Sequence, residues 1–176
     1  RNGKPSAIGF AGKAQKPSFH YYFQTAERRD AYVAAFFKNQ RERIDSRKAR
    51  AKARSEFVHS VKVGDVFYTS WGYDQTNVEY FQVVALRGAK QILVREIAKF
   101  YEEDHYMSGE SAPRVDDFLA DSCALGKGNP PKVCTVRGGS YGVSIKICDT
   151  RTGWPLPSKT VGTLRVYETR RESHYA

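Results

Sequence analysis

Residues 64–84 read Gly-Asp-Val-Phe-Tyr-Thr-Ser-Trp-Gly-Tyr-Asp-Gln-Thr-Asn-Val-Glu-Tyr-Phe-Gln-Val-Val. Two runs of aromatic and β-branched residues, 66–71 and 78–84, flank the polar hexapeptide 72–77, which is the pattern of two strands joined by a short loop. Gly64-Asp65 before the first run and Arg87-Gly88-Ala89-Lys90 after the second are turn signals, and a third run follows at 91–97. Three strands therefore form a meander. Apolar residues occupy both faces, with Val66 and Tyr68 alternating with Phe67 and Trp71, and Ile92 and Val94 with Leu93 and Ile97. Strands covered on both sides predict a small closed barrel, or a sheet with a helix lying over it.

On the N-terminal side, residues 1–17 hold Gly3, Gly9, Gly12, Pro5, Pro17 and four cations, the composition of a flexible tail. Phe19-His20-Tyr21-Tyr22-Phe23 predicts a strand, and Thr25 an N-cap for a helix beginning at Ala26. Val33, Phe36, Phe37, Gln40 and Ile44 fall on one broad face of that helix and predict packing on a core. Beyond Ile44 the apolar stripe stops. Arg43, Arg47, Arg50 and Arg54 follow i, i+4, i+7, i+11, aligning four guanidiniums, with Lys48 and Lys52 to their sides.

On the C-terminal side, residues 101–121 carry seven carboxylates against one arginine and read as a long acidic loop with a short element at 115–119. The acids lack calcium-loop spacing, so an internal counter-charge for the basic helix is the preferred reading over a metal site. Residues 132–137 and 143–148 predict two strands joined through the glycine-rich stretch 138–142, and 161–169 a last strand. A glycine pair of this kind can cradle a phosphate, but no G-x-G-x-x-G or Walker pattern accompanies it. The expected domain plan is a tail at 1–17, a strand plus basic helix at 18–57, and a β-rich domain at 58–176 that shares one core with 18–44. The fold class is α+β: a strand and a long basic helix joined to a small antiparallel, SH3-like barrel or strongly bent sheet of five or six strands.

Charge is distributed unequally. Residues 1–57 hold 14 Lys+Arg against 5 Asp+Glu, whereas residues 58–176 hold 15 against 14. A basic appendage on a near-neutral globule points to a polyanion partner, because clustered cations release counterions from a phosphate backbone. No apolar run approaches the roughly 18 residues of a membrane span. No secretory signal is visible, and three cysteines without C-x-x-C spacing suit reduced thiols in a cytoplasmic protein. His20, His59, His105 and His174 lie in four separate segments, so neither a metal site nor a cofactor is expected.

The loop 71–77 is the richest candidate site. Trp71 and Tyr73 offer rings that stack on bases, Gln75 and Asn77 offer amides for base edges, and Asp74 completes the polar run. The structural alternative has Trp71 plugging the end of the barrel while Asp74 and Asn77 shape the turn. The run Ser70-Trp71-Gly72-Tyr73-Asp74-Gln75-Thr76-Asn77-Val78-Glu79-Tyr80-Phe81-Gln82-Val83, with Gly64-Asp65, Arg95-Glu96-Ile97, Met107-Ser108-Gly109 and the terminal Tyr175-Ala176, resembles a set of uncharacterised small proteins encoded by phages, plasmids and other mobile elements. The likeness runs from Tyr21-Tyr22-Phe23 to the C-terminus and is weakest over 121–160. It implies element maintenance or resistance to host defence, in a bacterial host cytoplasm.

The expected function is non-enzymatic binding of DNA or RNA, with Arg43, Arg47, Lys48, Arg50, Lys52 and Arg54 on phosphates and the loop conferring selectivity. The rival is a protein-binding inhibitor of host defence, of anti-CRISPR or anti-restriction type. A third reading, an enzyme acting on nucleic acid, would use Asp74 and Glu79 as paired carboxylates.

Overall fold

The computed structural model describes residues 3–139 and 142–174, so the centre of the 138–142 turn and the terminal Tyr175-Ala176 lie outside the described residues. The chain divides into two compact units, Arg1–Glu56 and Phe57–Ala176.

In the first unit, β1 (Ser6–Gly9) pairs antiparallel with β2 (Phe19–Tyr22), and α1 (Ala26–Glu56) follows. β1 lies inside the stretch expected as a flexible tail. It is fixed by backbone bonds from Ser18 N–H to the Gly9 carbonyl and from Phe23 N–H to the Pro5 carbonyl, both 2.7 Å. The hairpin's purpose in packing terms is Phe19, which is buried against Tyr32 and Phe36 with ring centroids 5.0 Å apart in edge-to-face geometry. A Cβ on Gly9 would fall 2.2 Å from the Phe19 ring, so only glycine lets that ring lie across β1. Thr25 caps the helix, its hydroxyl accepting from Arg28 N–H at 3.4 Å.

The apolar face of α1 is covered for less of its length than the sequence predicts. Phe37 and Ile44 are both about half exposed, and no residue of the helix is buried. Strands of four residues span only about 13 Å, which matches two to three helical turns. The hairpin's rings accordingly meet Tyr32 and Phe36 in the first turns of the helix.

The second unit begins with the expected meander: β3 (Val66–Trp71), β4 (Asn77–Arg87) and β5 (Gln91–His105), paired antiparallel in order. The acidic stretch is not a loop. It forms the outer half of β5 and, after a tight turn with Met107 at φ 57°, strand β6 (Ser108–Phe118). These strands escape a hydrophobicity pattern because the outer half of β5 is exposed throughout and the residues that β6 buries on one face, Gly109, Ser111 and Pro113, are not large apolar ones, so the backbone ladder carries much of the pairing. Gly109 permits the close approach, since a Cβ there would meet the Glu102 carbonyl oxygen at 2.1 Å.

The remaining six strands were expected as three. β7 (Lys132–Gly139) and β8 (Gly142–Lys146) form the predicted hairpin, while β9 (Thr152–Pro155) falls between the predicted strands 143–148 and 161–169. The single last strand is instead the hairpin β10 (Ser158–Val161) and β11 (Leu164–Tyr167), reversed at Gly162 with φ 63°, followed by β12 (Arg170–Ser173). The main sheet has eight strands in the order β12-β6-β5-β4-β3-β9-β8-β7, more than the five or six expected. The start of β5 also pairs with β7, so the pairings β3-β4-β5-β7-β8-β9 return to β3.

Both faces of the meander are filled, as its alternation requires. Phe67, Phe81, Val83, Ile92, Val94, Val136, Ile145 and Ile147 form one buried cluster, and Val66, Val78, Tyr80, Ile97 and Leu156 the other. Cys134 belongs to the first cluster, where burial pushes its thiol up to about 11. The cysteines are unpaired. No helix among the described residues is long and apolar enough to cross a membrane.

Candidate nucleic-acid interface

The six cations singled out from the sequence lie on α1 in the first unit, and the loop residues lie in the second. From Arg41 to its end every residue of α1 is exposed. This half stands as a helix because its alanines, arginines and lysines have the highest helix propensities and neither glycine nor proline interrupts it. Arg43, Arg47, Arg50 and Arg54 form one stripe and, with Asn39, Glu42 and Ser46, line a shallow open concavity. Among the described residues Arg43, Arg47, Lys48 and Arg50 make no ion pair, whereas Lys52 is 3.9 Å from Glu56 one turn away. Each like-charged i,i+4 pair costs a few tenths of a kcal/mol, an expense that a bound polyanion would reverse.

The loop is tightly built. Trp71 and Asn77 close it as the last cross-strand pair of β3 and β4. Gly72 has φ 131° and a Cβ there would meet the Gln75 carbonyl oxygen at 1.9 Å, so the turn requires glycine. Its far side is clamped by β12: Thr76 N–H donates to the Ser173 carbonyl and Ser173 N–H to the Thr76 carbonyl, both at 3.0 Å. Gln75 Nε2 donates to Asn77 Oδ1 at 3.4 Å, turning two of the amides expected to read bases toward one another. The Asn77 amide nitrogen is buried without a hydrogen-bond partner. Tyr73, by contrast, is 100% exposed at the crest, and Asp74 beside it is exposed.

Trp71 does not plug a core; it is 39% exposed. It sits on the same face of β3 as Phe67, but beyond the apolar cluster, where its neighbours on that face are Thr69 and, across the ladder, Glu79. Arg151 spans this end. Its guanidinium lies 4.3 Å from the Trp71 ring centroid and donates through Nη1 to both Glu79 oxygens, at 2.8 and 2.7 Å. Glu79 is thus paired with a cation that lies 72 positions away.

Sequence reasoning missed Arg151, and with it a polar cluster behind Glu79. Glu96 is 6% exposed, accepts from the Ser122 hydroxyl, and shares backbone bonds with the fully buried Asn129 amide. Burial holds the Glu96 carboxyl above the ordinary carboxylate range, and the nearby Glu79 charge pushes the same way. The available signal was alternation: Thr69 and Glu79 face inward with Phe67 and Phe81, and an inward carboxylate demands a cation.

The acidic stretch also finds partners within its own unit. Arg171 Nη1 donates to Asp104 at 2.7 Å, holding that carboxyl below its usual range, Arg114 pairs with Asp117 at 2.9 Å, and Gln82 Nε2 donates to Asp116 at 2.6 Å. Among the described residues no three His, Cys, Asp or Glu side chains are placed to hold a metal ion. Compared with family models, curated proteins and solved structures, the chain matches none.

Proposed function

We propose that this protein is a non-enzymatic nucleic-acid-binding protein of a phage or other mobile element, working in the host cytoplasm. The observation that carries the reading is the bare basic half of α1: residues 41–56 hold seven Lys+Arg against three Asp+Glu and are exposed throughout. A helix without packing neighbours gains nothing from clustered cations unless a polyanion meets them. In the second unit, the small SH3-like barrel is the architecture in which we read the strand ring, and Tyr73 is the group from which selectivity would come by stacking on a base.

The test is the salt dependence of binding to DNA and RNA. Parent protein should lose affinity steeply between about 50 and 200 mM salt, and replacing Arg43, Arg47, Arg50 and Arg54 with Gln should flatten the log–log slope by about 3 to 4. Tyr73→Ala should leave that slope unchanged while weakening affinity by roughly 1 to 3 kcal/mol. Binding that is flat with salt overturns the reading.

The second reading, a protein that binds and inhibits a host-defence factor, draws on the β5–β6 hairpin. Phe100 and Tyr106 there are 63% and 85% exposed, apolar surface of the kind that marks protein contacts. Capture of a host protein that survives nuclease treatment, and is lost in Phe100→Ser with Tyr106→Ser, would favour it.

A further inference from the structure

We infer that the ligand of α1 is B-form duplex DNA and that residues 41–56 lie lengthwise in its major groove. This rests on the part of the nucleic-acid reading above that concerns α1, narrows that part to one class of nucleic acid, and makes no use of Tyr73.

The argument is the arrangement of charge around the helix. On a period of 3.6 residues, Arg43, Arg47, Arg50 and Arg54 form one stripe, and Arg41, Lys48 and Lys52 form a second roughly 150° away around the axis. The shorter arc between the stripes carries Ile44, Ala51 and Ser55 and no charge. All three acids of this half, Glu42, Asp45 and Glu56, fall on the longer arc, together with Ala49 and Ala53. The helix thus has an uncharged ridge with cations along both flanks and the acids behind. Ile44 is 51% exposed on that ridge.

Two cationic stripes so far apart cannot both lie on a flat acidic surface, but they can face the two walls of a groove. The major groove of B-form DNA is about 12 Å wide with phosphates along both rims, and it admits a helix about 10 to 12 Å across. The arginine stripe runs about 16 Å along the axis, long enough to follow several successive phosphates of one strand. The ridge would then approach the base edges, where Ile44 and Ala51 suit thymine methyl groups. A-form RNA has a deep, narrow major groove that does not take a helix in this way. Single strands are gripped chiefly by stacking, and residues 38–56 contain no aromatic side chain.

The experiment uses the full chain and fluorescence anisotropy with three labelled probes of one sequence, about two helical turns long: duplex DNA, duplex RNA and single-stranded DNA. Ala51→Glu places a carboxylate on the ridge, and Ala53→Glu places the same group on the back. Both positions are exposed and Glu is a good helix former, so circular dichroism should show equal helix content. The expected result is duplex DNA bound about ten-fold or more above either other probe, a loss of about ten-fold or more for Ala51→Glu, and a change within about two-fold for Ala53→Glu. Equal binding of the three probes, or equal losses for the two variants, overturns the groove inference and leaves nucleic-acid binding standing. Failure to bind any probe overturns both.

Discussion

The two units spend the same charged residues differently. In Phe57–Ala176 the charges are nearly balanced, and several cations are anchored: Arg151 on Glu79, Lys99 on the fully buried Glu172 at 2.6 Å, Arg165 on Asp65 at 2.7 Å and Arg171 on Asp104. In Arg1–Glu56 the stripe cations Arg43, Arg47 and Arg50 have no carboxylate partner among the described residues. The contrast separates charge that completes a fold from charge available to a ligand. Removing the first kind leaves a partner uncompensated, whereas removing the second relieves repulsion and leaves the fold as it was.

The largest effect that tests this contrast is in the apolar core beneath the paired charges. Phe81→Ala should cost about 3 to 5 kcal/mol, measured by chemical denaturation, because the side chain is fully buried among Phe67, Val83 and Val94. Phe36→Ala, against the two-stranded hairpin of the first unit, should cost about 1 kcal/mol, since that residue is only partly covered. Equal costs would break the distinction between a packed unit and a lightly packed one.

A smaller effect belongs to the loop. Gly72→Ala should destabilise by about 1 to 3 kcal/mol, because φ 131° and the Gln75 carbonyl both oppose a Cβ. Thermal unfolding unchanged by this substitution would mean that the loop tolerates another path, and its clamp to Ser173 would lose its significance.

The smallest concerns Glu96. Its carboxyl is raised in the folded protein, so the folded state binds a proton more tightly than the unfolded chain. The resulting stabilisation is present below the ordinary carboxylate range and is lost as pH rises through the folded value. Glu96→Gln should remove that fall, leaving a variant at least as stable as the parent at neutral pH. Parent and variant denaturation profiles that run parallel from pH 4 to 7 would show that burial does not perturb the group.

The meander was legible because alternation over 66–71, 78–84 and 91–97 reports burial directly, and those strands bury what they alternate. Strand β6 was not legible, because the residues it buries, Gly109, Ser111 and Pro113, are those of a turn or loop and leave no apolar alternation. Nor was β12, which buries a carboxylate, Glu172, and whose pairing to Ser108–Ser111 depends on where the chain returns about 60 residues later. Of the candidate site, the arginine stripe needed only helical periodicity. The alternative of Trp71 as a plug failed because an aromatic at a strand end packs or stacks according to a neighbour, Arg151, that no local pattern reveals.

What the sequence by itself determined is therefore local: the helix from Ala26, its arginine spacing, the three-strand meander and the glycine that the 72–76 turn requires. Propensity, periodicity and turn chemistry act within a few residues, and they can be read without knowing where the chain goes next. Tertiary structure alone decided which charges would be used up inside the fold. The partners Glu79 and Arg151, Lys99 and Glu172, and Asp104 and Arg171 lie 67 to 73 positions apart, and a charge is neutralised by what approaches it in space.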